Sequence, residues 1–255
     1  MYISILGFLL GIFLGSFLNC ISVRLASNKS FTKGRSQCVW CNHDLDWNDL
    51  FPILSFLFLK GKCRYCKKKI SWQYPISEIL FGLVVATHFY FFDGNILNLV
   101  LQIVISSFLF IIFFYDLNHC LIPVDLVYWG IGVYSLYGFV NGYFSSWDKA
   151  FPILLGIFIP AGFFWLLYAL SGEKWMGAGD VKLMLLLGFL GMPNVLISLL
   201  IAVISGGIIG LILIVSKKKT PKSEIPFGPF LIAGYWIALF WGQNLMQLYF
   251  NFLFQ

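Results

Sequence analysis

The hydrophobic positions of the chain fall in long runs separated by short polar or charged segments. A helix needs roughly 20 apolar residues to cross the hydrocarbon of a bilayer, because every backbone polar group must find its partner inside the segment. Tyr2 to Val23 carries no charge, Ile76 to Phe92 only Glu78 near its start, and Ile96 to Tyr115 none before Asp116. These predict spans one to three. Val124 to Val140 and Phe151 to Leu170 predict two more. The run from Leu183 to Ser216 is too long for one crossing, and Gly191, Pro193 and Asn194 supply a turn that divides it. Pro226 to Tyr249 makes an eighth. The expected fold class is an all-α polytopic membrane protein of about eight transmembrane helices.

Composition agrees. Of 255 residues, 60% are hydrophobic and 11% charged, against about 25% charge in soluble domains, which excludes a soluble enzyme. No Lys or Arg precedes the first span and positive charge begins after it, at Arg24. That span therefore reads as a retained helix with its N-terminus outside rather than as a secretory signal. With eight crossings the inside segments are Arg24 to Pro75, Leu117 to Pro123, Ser171 to Lys182 and Lys217 to Ile225. They hold 16 of the 17 basic residues, leaving only Lys149 outside, as the charge rule for membrane orientation requires. The net charge of +6 is then a basic rim facing anionic lipid, and it argues for no nucleic-acid partner.

The long inside segment carries Cys38-Val-Trp-Cys41 and Cys63-Arg-Tyr-Cys66. Two C-x2-C pairs complete a closed tetrahedral site, so Cys38, Cys41, Cys63 and Cys66 are predicted ligands of a structural Zn2+ in a small zinc-ribbon-like domain over 24–75. Disulfides are disfavoured because the predicted topology puts these residues in a reducing cytosol. Neighbouring Lys62, Arg64 and Lys67 favour thiolates. His43 reads as a loop residue, Cys20 as a small apolar helix residue.

Ionisable groups in spans are costly and mark function. Asp116 ends span three, and Asp180 stands in Gly177-Ala-Gly-Asp-Val-Lys182 where the chain enters span six, on the same side of the membrane. Two carboxylates brought close share a proton, one acting as base on water and the other as acid toward a carbonyl oxygen, which is the chemistry of an aspartic protease. Gly177 and Gly179 let backbone approach a substrate closely. A nucleotide loop is excluded here, since no strand precedes the glycines and the full pattern is missing.

These motifs, in this order, resemble the prepilin peptidases, or type IV leader peptidases, a GxGD-type family of membrane aspartic proteases. The resemblance runs from Gly15-Ser-Phe-Leu-Asn19 through the two cysteine pairs, Pro52-Ile-Leu-Ser55, Gly61-Lys-Cys-Arg64 and Gln73-Tyr-Pro-Ile-Ser-Glu78. It continues through Asp116 with Pro123, Met176-Gly-Ala-Gly-Asp-Val-Lys-Leu183 and Pro226-Phe-Gly-Pro-Phe230. Val124 stands where the family usually has Asp after the proline, with Asp125 one position later. The resemblance implies that Asp116 and Asp180 are the catalytic pair, supported by Gly177, Gly179, Lys182 and Glu78. It implies removal of a basic leader from type IV prepilins or pseudopilins at the cytosolic face of the bacterial inner membrane. For many members it also implies S-adenosylmethionine-dependent methylation of the new N-terminus. Asp44, Asp46, Asp49 and Glu78 are expected to attract the basic leader across the basic rim. Two other classes fit parts of the pattern. A transporter would show inverted repeats, and none is seen; a non-catalytic assembly factor would tolerate loss of both aspartates.

Overall fold

The computed structural model describes residues 2–27, 35–174, 176–218, 220, 223 and 225–253. Lys29, Lys33, Lys219 and Lys222, counted above in the basic rim, lie outside the described residues. Each of the eight apolar segments forms a helix, and the described residues contain no strand. The chain divides into two compact units, Met1–Ile111 and Ile112–Gln255.

In the N-terminal unit, α1 (Tyr2–Ala26) packs along α3 (Gln73–Tyr90) through a row of glycines. A Cβ on Gly11 would lie 2.8 Å from the Cα of Gly82, and one on Gly15 would lie 3.1 Å from the carbonyl oxygen of Ser77. Gly7, Gly11 and Gly15 recur every four residues and so share one helix face. This is how helices in lipid bring their backbones together, where no hydrophobic drive acts between them. Between the two helices lie a 3-10 turn over Trp47–Asp49 and the short α2 (Leu54–Phe58). The helix α4 (Ile96–His119) begins in this unit and is tied to α3 by buried His88, which shares hydrogen bonds with Gln102 at 3.1 Å and Ser106 at 2.9 Å.

The C-terminal unit holds the end of α4, then α5 (Val124–Val140), α6 (Trp147–Ser171), α7 (Ala178–Leu187), α8 (Asn194–Val215) and α9 (Gly228–Leu253). The long apolar run divides as expected: α7 passes into a 3-10 turn over Gly188–Leu190, Gly191 takes a positive φ, and α8 starts at Asn194. The backbones of α6 and this turn touch, since a Cβ on Gly156 would meet the Gly188 carbonyl oxygen at 2.6 Å. The carbonyl of Pro152, inside α6, accepts the N–H of Met192 at 3.0 Å. Helix α8 packs on α9, and α5 packs on α7 with Gly130 receiving Leu186.

Among the described residues, α1, α4, α6 and α8 are long and apolar enough to cross a membrane, and α5 is a shorter apolar helix. Their outward faces carry Phe13, Phe17, Phe158, Leu200, Leu211 and Val215, all exposed. Such continuous exposed apolar surface calls for lipid.

Candidate active site and metal centre

Three segments of the C-terminal unit converge on Asp116. The carboxylate is 4% exposed, in the last turns of α4, and its Oδ2 accepts the backbone N–H of Gly228 at 3.0 Å. That N–H is one of the orphan donors in the first turn of α9. Only glycine fits there, because a Cβ on Gly228 would lie 2.5 Å from Asp116 Oδ2. Asp180, half-buried in the first turn of α7, has Asp116 as a charged neighbour and takes a hydrogen bond from the Gly177 backbone. Its own N–H donates to the Gly177 carbonyl at 3.2 Å.

The two glycines before Asp180 differ in kind. Gly179 is required by packing, since its Cβ would strike Ile122 at 2.9 Å. Gly177 is open: a side chain there would meet nothing within 3.8 Å, its first neighbour being Asp180 Oδ2 at 3.9 Å. Ile122 also borders Gly228, 3.5 Å from the position of its Cβ. The connector between α4 and α5 thus spans both glycines. Neither Ile122 nor the Gly228 N–H carries chemistry in its residue type, so sequence reasoning passes over them. The PFGP motif around Gly228 is the signal that could have pointed to the second. Lys182 is half-buried on α7 and forms no ion pair among the described residues. Asp125 is exposed in the first turn of α5, where the helix dipole favours an acid.

The acidic residues expected to attract a leader are largely engaged elsewhere. In the N-terminal unit Glu78 is buried, 6% exposed, and accepts the N–H of Ile53 at 2.7 Å. Asp49, with a side chain 3% exposed, takes Arg64 Nε at 2.7 Å and the Tyr65 hydroxyl at 3.3 Å. Asp44 accepts from Gln37, and Asp46 from Tyr65 with Arg35 at 3.7 Å. Glu78 and Asp49 are thus committed to local partners, while Asp44 and Asp46 remain exposed.

The four cysteines form two matching turns. Cys38 N–H donates to the His43 carbonyl and accepts Asn42 N–H at its own carbonyl, at 3.0 and 2.9 Å; Cys63 does the same with Lys68 and Lys67, at 2.9 and 3.0 Å. Asn42 and Lys67 both take positive φ, which reverses the chain after each pair. The four sulfurs lie within 4.8 Å of one another, and Cys38 to Cys66 is 3.8 Å. A tetrahedron with sulfur about 2.3 Å from the metal has edges of about 3.8 Å. The cluster could therefore hold a metal ion.

Electrostatics points the same way. Burial raises the Cys38 thiol, but backbone N–H groups of Cys41 and Trp40 outweigh it and bring it down to about 7. At Cys66 the Lys68 N–H lowers, while burial and three neighbouring sulfurs raise, leaving it at about 11. Four thiols this close cannot all ionise without a cation among them. Arg64, expected to favour thiolates, is turned to Asp49 instead. His43 is outside the cluster and stacks on Tyr65 with ring centroids 3.7 Å apart.

Comparison with known proteins assigns both units. The Bacterial Peptidase A24 N-terminal domain matches residues 9–92, and the Type IV leader peptidase family matches residues 103–211. The chain is similar to the prepilin leader peptidase/N-methyltransferase of Aeromonas salmonicida, 33% identical over 98% of this chain and 94% of that protein. The proteins of the same name in Pseudomonas aeruginosa and Bacillus subtilis are 30% and 31% identical, over 96% and 95% of this chain and 92% and 96% of theirs. No solved structure matches the chain. With Asp116 and Asp180 both inside the peptidase match and the cysteine cluster inside the N-terminal one, the chain belongs to the type IV leader peptidase family.

Proposed function

We propose that this chain is a membrane aspartic endopeptidase that removes the basic leader from type IV prepilins or pseudopilins, with Asp116 and Asp180 as its catalytic pair. The observation that carries the reading is that the two carboxylates are charged neighbours, with Asp116 held by the Gly228 N–H. One carboxylate takes a proton from water as it attacks the scissile carbonyl, and the other protonates the carbonyl oxygen; the roles reverse as the amine leaves. Asp116, buried and tethered, is fixed in orientation, while half-buried Asp180 sits beside Gly177, where no side chain obstructs the approach of substrate backbone.

The membrane arrangement follows from charge. The N-terminus is outside, and both the cysteine domain and the aspartates are at the cytosolic face of the inner membrane. A prepilin pairs a basic leader with an apolar helix, so the helix can lie in lipid while the leader remains cytosolic and the scissile bond reaches the aspartates. The cysteine domain binds structural Zn2+, which closes a segment too small to bury a core of its own. The second activity named for the relatives, N-methylation, belongs to this chain too, with S-adenosylmethionine supplying an electrophilic methyl group when bound.

Mass spectrometry of a prepilin N-terminus tests the reading, after incubation with the purified protein, lipid and S-adenosylmethionine. Wild type should remove the leader and add a methyl mass, while Asp116→Asn and Asp180→Asn should leave the leader intact. Cleavage by both variants at the wild-type rate would end the proposal.

A further inference from the structure

Leader cleavage gives no task to the most apolar stretch of the cysteine domain. Leu50-Phe-Pro-Ile-Leu-Ser-Phe-Leu-Phe-Leu59 holds ten residues without a charge, between Asp49 and Lys60, and Ser55 is its one hydrophilic side chain. Leu50, Phe51, Leu54, Leu57 and Phe58 are all exposed, Phe58 at 83%. A contiguous exposed apolar face of this kind marks a docking surface. Its depth, its backbone and its flanks each indicate lipid as the occupant.

Two helices of the same unit measure the depth. The ring of Phe51 meets that of Phe13 on α1 with centroids 6.1 Å apart, and Phe13 belongs to the exposed surface of that span. The Ile53 N–H reaches Glu78 of α3 at 2.7 Å, and Glu78 in turn hydrogen-bonds Ser16 of α1. Ser16 stands eight residues before Arg24, the first charge of the chain, and Glu78 six after Trp72, roughly 12 and 9 Å along their helices. Half of the hydrocarbon core is about 15 Å, so Ile53 sits at a level where α1 is surrounded by acyl chains.

The backbone is built for that level. Irregular chain survives at membrane depth only where the protein itself satisfies the polar groups. The N–H groups of Ser55, Leu57 and Leu59 donate to the carbonyls of Phe51, Ile53 and Ser55 at 3.0, 3.0 and 2.9 Å. Pro52 has no N–H to satisfy. Ile53 takes a φ of 61°, strained for a β-branched residue, and so delivers its N–H to Glu78. A buried carboxylate given to a single loop amide makes sense where no water can reach that amide.

The flanks carry interfacial anchors. Trp47 packs on Phe51 and Trp72 on Phe56, with ring centroids 6.2 and 5.0 Å apart, and both indoles are exposed. Exposed Lys60 and Lys62 follow the segment directly. Tryptophan and lysine bordering an apolar face hold a segment in the membrane interface, with the amines on lipid phosphate. A hollow of about 380 Å³, lined chiefly by Phe51, Leu54, Phe58 and Leu59, gives an acyl chain room beside them. We propose that residues 50–59 dock on anionic lipid as a re-entrant segment of the leaflet at the C-terminal end of α1, with Leu57 and Phe58 among the acyl chains and Lys60 and Lys62 on the phosphates. The cysteine turns are then held at the membrane surface. The inference goes beyond the cleavage reading and takes from it only that α1 spans the bilayer.

Photocrosslinking of the full chain tests it, in nanodiscs of phosphatidylglycerol and phosphatidylcholine in equal parts. The photoreactive p-benzoylphenylalanine replaces Phe58 or, as a second site, Leu57, and in a control it replaces Asp44, exposed in the first cysteine turn. Mass spectrometry should find lipid adducts at 57 and 58, with phosphatidylglycerol about twofold over phosphatidylcholine. The yield at 44 should be about a tenth of that or less, since headgroup water separates it from acyl chains. Lys60→Gln combined with Lys62→Gln should bring the two lipids to equal yield.

No lipid adduct at 57 and 58, or equal yields there and at 44, would overturn the docking. A cross-linked dimer in place of lipid would give the face to a second copy of the chain and overturn it equally. Lipid adducts at 57 and 58 without preference would support the segment's place in the leaflet and overturn the phosphate contact. Both leaflets of the disc share one composition, so the outcome depends neither on which way α1 crosses nor on whether a leader is cleaved.

Discussion

Each half of the cysteine cluster is shaped by its own backbone, whereas the aspartate pair depends on segments far apart in the chain. Cys38 and Cys63 each fix a turn by hydrogen bonds to residues at most five positions on, and the four sulfurs converge at distances a metal would accept. Asp116 is instead held by an N–H from position 228, beside a carboxylate from position 180, with Ile122 packed against two glycines that admit no side chain. The first centre is a local shape that could hold a metal. The second needs a whole helical unit to be correctly packed. The two should therefore fail in different ways.

The largest expected effect is on the cysteine centre. Structural zinc contributes apparent free energies of about 10–16 kcal/mol in small peptides, so its removal should unfold the segment over 35–72. A strong chelator is expected to release about one zinc per chain to a metallochromic dye. Trypsin should then cut at Arg35, Lys60 or Arg64, while the far-UV helix signal changes little. A helix signal that collapses together with the metal would break the contrast, since the C-terminal unit would then depend on the metal as well.

Next in size is the aspartate pair. Asn at position 116 or 180 preserves shape but cannot exchange the proton, and acid–base groups of this kind contribute about 10²–10⁴-fold to rate. Leader cleavage should fall at least that far in Asp116→Asn and Asp180→Asn. The zinc content, measured by the same dye, should stay at the wild-type value, because neither carboxylate takes part in the cysteine turns. Gly228→Ala sharpens the point without touching a carboxylate. Its methyl would enter the 2.5 Å gap beside Asp116 Oδ2, and a misplacement of this order costs about 10²-fold in rate. Gly132→Ala, where a Cβ meets nothing within 4 Å, is the control and should leave cleavage within about twofold.

The contrast also explains what could be read in advance. Eight helices were legible because an apolar run is a property of one segment, although α1 extends to Ala26 and α6 begins at Trp147, past the predicted bounds. The cysteine spacing was legible for the same reason. Gly228 as the donor to Asp116 was not, because a contact across 112 positions leaves no mark in local pattern. Glu78 was read as active-site support and as an attraction for the leader; the positive φ of Ile53, which turns its N–H toward that carboxylate, has no signature in the residue type.

The α1–α3 seam lies between the two cases. The spacing of Gly7, Gly11 and Gly15 is visible in α1 alone, but its meaning depends on Gly82 and Ser77, which the sequence does not pair with it. A Cβ on Gly11 would meet the Gly82 Cα at 2.8 Å, and backbone cannot move aside as a flexible side chain can. Gly11→Ala should therefore destabilise the N-terminal unit by about 1–3 kcal/mol, lowering its melting temperature by roughly 2–4 °C for each kcal/mol. Zinc content should remain unchanged, since the hydrogen bonds of the cysteine turns do not run through α1. Thermal unfolding in nanodiscs with the dye readout distinguishes the outcomes. An unchanged melting temperature would show that the helices can separate by a few tenths of an ångström at little cost. Loss of zinc along with stability would show that the seam and the cysteine turns unfold as one cooperative body, and that the locality assigned to the metal centre ends at α1.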